Sequence, residues 1–241
     1  MRKYRGNIIL VAAIAILALA QVGRAQVQVG TDGDWQFWTH EQAMFKITDK
    51  VHVSVGAMYR FGDDFSDLWY QHYDMGVGFQ VAKWLCIKPS YRLKLVDAAD
   101  FGAKFPGDKW LRIHNPSLNF VFTHKVGKFK LKNNCRFAYW DFDDGFTAKK
   151  ADQWYYRNIF MAIGPAWTKA KVKPYIKEDF FFSTDREVID RNRLSTGVMF
   201  GKSKTVTPSL YIMWQAFNPK GLGDGDNADN YIVGLDFKAK F

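Results

Sequence analysis

The chain has 241 residues, a formal net charge of +10, 48% hydrophobic and 17% aromatic residues, and two cysteines. So few cysteines exclude a disulfide-built scaffold. The charge argues only weakly for a nucleic-acid partner, because part of it lies in a leader. Arg2, Lys3 and Arg5 precede an apolar stretch from Ile8 to Ala20, and Gly23-Arg24-Ala25 offers a small-x-small cleavage site. This is the pattern of a signal peptide spanning residues 1–25, too short in its apolar part to span a bilayer comfortably. Cleavage after Ala25 removes Arg2, Lys3, Arg5 and Arg24 and no acid, so the charge falls from +10 to +6. The remaining residues, 26–241, read as one domain without linker or low-complexity tract.

Beyond the leader, apolar residues recur at period two rather than in long runs, which predicts strands. The segments are Trp35–Lys46, Val51–Phe61, Leu68–Gln80, Trp84–Lys94, Trp110–Thr123, Phe129–Phe142, Trp154–Trp167, Val172–Phe182, Arg191–Phe200, Val206–Gln215 and Tyr231–Phe241. At about 11 residues each, they match the length of a tilted membrane-crossing strand. The expected fold is all-β: a single antiparallel transmembrane β-barrel of 10–12 strands. Twelve is favoured because an antiparallel barrel closes on an even number. The twelfth candidate is the short segment Gln26–Val29. Pro89 and Pro208 each remove a ladder donor and should mark bulges or weak points.

Connections alternate between short and long. The short ones carry Lys50, Lys83, Lys125, Lys128, Lys169, Lys171, Lys202 and Lys204 against Asp49; the long ones are rich in acids such as Asp63, Asp64, Asp143, Asp144, Asp224 and Asp226. Short inner turns and long outer loops are the outer-membrane pattern. Lysine turns beside anionic headgroups would each contribute on the order of 1 kcal/mol.

The polar faces hold more bases than acids. Arg60, Arg92, Arg136, Arg157 and Arg193 are expected in the lumen, sharing the carboxylates Glu41, Glu178 and Asp74, since a base facing lipid at mid-depth costs about 2–4 kcal/mol. Such a set either fills the barrel as an ionic network or favours small anions. Enzymatic candidates are sparse among His40, His52, His72, His114 and His124. His114 and Ser117 fall on opposite faces, and His72 shares a face with Asp74 as either a base–orienter pair or a lumen hydrogen bond. The Gly223–Asp229 loop has calcium-like spacing but lacks the closing glutamate. No metal, cofactor or catalytic set is expected. Cys86 and Cys135 lie on strands that another separates and are expected to stay unpaired.

The last strand places Tyr231, Val233, Leu235, Phe237, Ala239 and Phe241 on one face, and Ile232, Gly234, Asp236, Lys238 and Lys240 on the other. An amphipathic closing strand marked by Tyr231, Phe237 and Phe241 is similar to the insertion signal of bacterial outer-membrane barrels, so the barrel-insertion machinery is an expected partner.

Trp35 with Glu41, Arg60, Cys135-Arg136-Phe137, the run Pro174–Phe180, the run Arg191–Gly197 and the terminal Tyr231–Phe241 strand together resemble the bacterial family known as domain of unknown function 2490. The resemblance implies an outer-membrane barrel of this size and brings no reaction or substrate. The expectation is therefore a non-enzymatic, porin-like barrel in the outer membrane of a Gram-negative-type bacterium. It would be a narrow passive channel, anion-preferring or occluded, or a structural surface protein. Its partners would be the lipid bilayer and small anions, with no nucleic acid. The alternatives are a barrel-embedded lipid-modifying enzyme and a secreted soluble β-barrel binding protein.

Overall fold

The computed structural model describes residues 35–241 except 63–64, 98–109, 143–152, 168, 170, 186, 202, 204 and 218–227. The leader with its cleavage site, the Gln26–Val29 candidate strand and most of the Gly223–Asp229 loop lie outside the described residues. Eleven strands follow in chain order: β1 (Trp35–Lys46), β2 (Val51–Gly62), β3 (Asp67–Ala82), β4 (Leu85–Asp97), β5 (Trp110–Val126), β6 (Phe129–Phe142), β7 (Gln153–Ile163), β8 (Val172–Ser183), β9 (Val188–Phe200), β10 (Val206–Phe217) and β11 (Ala228–Lys240). There is no helix among the described residues.

The strands close into one barrel in which each pairs with its sequence neighbours and β1 pairs with β11. All pairs are antiparallel except that seam, which is parallel, with Trp35 beside Tyr231 and Met44 beside Lys240. Parity requires this. Eleven strands that alternate in direction leave the first and last pointing the same way, so an odd barrel must contain one parallel pair. The even-number argument for twelve strands therefore fails here. The seam is hydrogen-bonded to its end, where the Lys46 amide donates to the Phe241 carbonyl at 3.0 Å and the Phe241 amide to the Met44 carbonyl at 2.9 Å.

The two prolines act as weak points and not as bulges. The β3–β4 ladder skips Pro89, and β10 begins to pair with β9 only at Ser209, just past Pro208. The register shifts fall instead at Arg60/Phe61, Gln80/Ala82 and Phe181/Phe182. Lys50, Lys83, Lys128, Lys169 and Lys171 gather at the end of the short turns with the C-terminus. The acid-rich loops of the other end lie mostly outside the described residues.

Alternation sends successive side chains to opposite sides of the wall. The outer side is apolar, with Val55, Met75, Phe79, Leu118, Phe137, Phe160, Ile176, Leu194, Leu210 and Ile212 all exposed. Aromatic pairs stand at both ends of this band. Trp35 stacks on Tyr231 at 5.4 Å and Trp154 meets Tyr139 at 5.1 Å toward the loop end, while Trp84 stacks on Phe122 at 6.0 Å and Phe45 on Phe241 at 5.3 Å toward the turn end. Cys86 points inward on β4 and Cys135 outward on β6, so the wall itself keeps the two free thiols apart.

Candidate functional site: the lumen

The inner side is polar, charged and packed. Arg193, Asp179, His72, Asn119 and Lys94 are all buried, although each is a residue type that avoids burial unless paired. An eleven-strand barrel is wider than the eight-strand size that ordinary side chains fill. Here the long guanidinium and ammonium arms occupy the difference.

One cluster centres on Asp179 of β8. Arg157 of β7 donates to both its oxygens, from Nε at 2.7 Å and from Nη2 at 2.5 Å, the bidentate fork geometry. Arg193 of β9 reaches the same carboxylate, with Nη1 3.6 Å from Oδ2, and its Nε donates to Gln215 at 2.6 Å. The Phe181 ring lies under the Arg157, Arg191 and Arg193 guanidiniums at 4.5, 5.3 and 4.8 Å. Arg60 is held differently, over the Trp38 and Tyr70 rings at 3.9 Å each. Aromatic faces thus do part of the work that acids would do.

A second cluster centres on Asp74 of β3, which has His40 Nε2 at 3.8 Å, His72 Nε2 at 3.5 Å and Arg92 Nη2 at 3.9 Å from Oδ2. A third carries Arg136, whose Nε donates to Asn119 at 2.6 Å, while the Asn119 amide donates to the Lys88 carbonyl and to Ser90 Oγ. Lys94 has its Nζ 3.3 Å from the centroid of the Trp140 ring.

Between the clusters, Arg92, Lys94, Arg136 and Arg157 line one small cavity with Asn115, Trp140, Tyr155, Phe181 and Ala138. No carboxylate is among its lining residues. The cavity is about 20 Å³, room for one water or a small ion. A larger cavity of about 320 Å³ opens at the turn end, lined by Met44, Lys46, His52, Gln80, Lys240 and Phe241 among others.

Of the eight residues that the sequence places in a lumen network, the structure puts six there: Arg60, Arg92, Arg136, Arg157, Arg193 and Asp74. The other two are corrected. Glu178 shares the outer face of β8 with Ile176 and Phe180 and is exposed, and Glu41 shares the outer face of β1 with Trp35, Phe37 and Phe45. The carboxylate expected of Glu178 is supplied by its neighbour Asp179. Lys94 and His40 also belong to the lumen and were not singled out as network members, although both fall on the polar parity of their strands. Tyr231, Phe237 and Phe241 lie on the outer face of the terminal seam.

Of the enzymatic candidates, His72 and Asp74 meet on the lumen face at 3.5 Å, whereas His114 and Ser117 do not come together. His114 points outward, where its Nδ1 meets the Tyr91 hydroxyl and Asp141 stands opposite in the ladder. Ser117 points inward and pairs with Ser90 at 3.0 Å. The wall separates the two.

A family model described as "Protein of unknown function (DUF2490)" matches residues 35–224, from the first residue of β1 to the segment between β10 and β11. The chain belongs to this family. The match ends before the terminal strand, which the sequence resemblance had included. No curated protein matches the chain in sequence. Among solved structures, LpxR from Salmonella typhimurium aligns with a TM-score of 0.48 at 8% identity, covering 83% of this chain and 87% of that one. A likeness that remote carries no argument about the site.

Proposed function

We propose that the protein is an outer-membrane barrel whose packed, cationic lumen admits small anions and excludes cations. The membrane part of the reading is supported by the exposed apolar band flanked by aromatic pairs at both ends, since a barrel standing in water would carry polar residues on that outer face. The sorting of lysines to the short-turn end agrees with it. The anion preference is carried by one observation: Arg92, Lys94, Arg136 and Arg157 line a single cavity with no acid among its walls. Arg92 and Arg157 have carboxylate partners behind the cavity wall, Asp74 and Asp179, but four bases facing one cavity outnumber those two acids, and the positive potential left in a low-dielectric lumen draws anions and repels cations. The packing makes the path narrow, so the barrel at rest is closed or nearly so.

Planar bilayers holding the purified protein under a KCl gradient test this reading. The expected result is a small conductance whose reversal potential has the sign of chloride selectivity, reduced in selectivity by Lys94→Met. A large conductance, or one with the sign of potassium selectivity, would overturn it.

A further inference from the structure

Three neighbouring strands bring two imidazoles and a carboxylate to one point on the lumen face. His40 on β1 stands beside Met58 on β2, Met58 beside His72 on β3, and Asp74 follows His72 on the same side of the wall. One ligand atom from each of the three residues lies within 4.8 Å of the others, and the Nε2 atoms of His40 and His72 are 3.8 and 3.5 Å from Asp74 Oδ2. Each is buried without a hydrogen-bond partner. His72 is 1% exposed and the Asp74 side chain 9%. Buried polar atoms are nearly always satisfied. At 3.5 to 3.9 Å the contacts around Asp74 Oδ2 are longer than hydrogen bonds, and the two imidazoles and the carboxylate present three potential ligand atoms to one point.

The surroundings hold the set in a ligating posture. The Tyr70 hydroxyl is 3.0 Å from His72 Nδ1, and the tautomer that donates from Nδ1 to that oxygen leaves the Nε2 lone pair free. Gly56 faces Asp74 across the ladder, and a Cβ there would stand 3.0 Å from Oδ2, so the glycine leaves the space the carboxylate uses.

We propose that His40, His72 and Asp74 bind a divalent transition metal of the zinc type. Two nitrogens and one oxygen suit zinc or its neighbours, whereas calcium and magnesium require mostly oxygen ligands. Metal–ligand bonds of about 2.0–2.1 Å in tetrahedral geometry place ligand atoms roughly 3.3 Å apart, so the observed spacings close with small side-chain adjustments. Imidazole coordination, rather than net charge, holds a cation in this basic lumen. The metal displaces Arg92, 3.9 Å away, as the partner of Oδ2. A fourth position stays open to water or to an anion from the lumen.

The test uses tag-free, detergent-purified protein stripped with EDTA and titrated with Co²⁺ as an optical probe, with Zn²⁺ as competitor. The expected result is one Co²⁺ per chain with ligand-field bands, no thiolate charge-transfer band, and displacement by Zn²⁺. His72→Ala and Asp74→Asn should each weaken binding at least about 100-fold, at or beyond the upper end of the 10–100-fold typical of an outer-shell partner. Glu178→Gln, on the outer face, should bind as the parent does. Heat-modifiable gel mobility reports that each variant is a folded barrel, and His40→Gln replaces any variant that is not. Absent uptake, uptake untouched by these substitutions, or a thiolate band implicating Cys86 or Cys135 would each overturn the proposal.

Discussion

Asp179 and Glu178 are adjacent in sequence and lie on opposite sides of a wall, and their substitutions should have opposite signs. Asp179→Asn leaves buried Arg193 and half-buried Arg157 without their shared carboxylate, close to the situation in which breaking a buried pair costs about 3–5 kcal/mol. Urea unfolding in detergent micelles should show that loss, and an unchanged midpoint would mean that the network holds nothing. Glu178→Leu replaces an exposed acid on the apolar face and should stabilise the barrel in lipid vesicles by about 1–2 kcal/mol, below the 2–4 kcal/mol of a misplaced base. The same pair shows where the sequence was misread. Along β8 the set Pro174, Ile176, Glu178, Phe180 and Phe182 is more apolar than Tyr175, Lys177, Asp179, Phe181 and Ser183. Parity along β8 therefore assigns Glu178 to the outside, against the lumen position expected from its charge.

At the scale of elements, Tyr211 of β10 lies between Gly197 of β9 and Gly234 of β11 in register. A Cβ on Gly234 would fall 1.9 Å from the Tyr211 ring, so that ring covers Gly234 and keeps it glycine, while one on Gly197 would meet the Leu210 carbonyl oxygen at 2.4 Å and Tyr211 Cβ at 2.7 Å. Gly234→Ala should cost about 1–3 kcal/mol by overpacking. Adding it to Tyr211→Ala should cost less than the sum of the two, because the clash is then gone. The midpoint of heat-modifiable gel mobility measures all three, and additive effects would count against the contact. The strands themselves were legible: all eleven appear in the expected order, because a period-two pattern of 10 or more residues has few other readings. The parallel β1–β11 seam was not. It joins opposite ends of the chain, and no local pattern of Trp35–Lys46 or Tyr231–Phe241 encodes which strand lies beside which.

For the whole molecule, the division of the two faces decides everything else. If odd residues of β1 and even residues of β8 face lipid, then Asp74 and Asp179 are shared among many bases inside, and the lumen is cationic. The composition of the lumen was partly legible for this reason, since Arg60, Arg92, Arg136, Arg157, Arg193 and Asp74 all fall on polar parities. Its grouping was not. Which bases meet Asp74 and which meet Asp179 depends on inter-strand register, as does the alignment of His40, Met58 and His72 across three strands. The measurement that tests the face division most directly is nitroxide accessibility along β8 in lipid vesicles. Single cysteines would be placed from Pro174→Cys to Phe181→Cys in a chain with Cys86 and Cys135 replaced by serine. Oxygen, which partitions into hydrocarbon, should collide most with labels at 174, 176, 178 and 180, and least with those at 175, 177, 179 and 181. The opposite phase, or a strand without this period of two, would contradict the account.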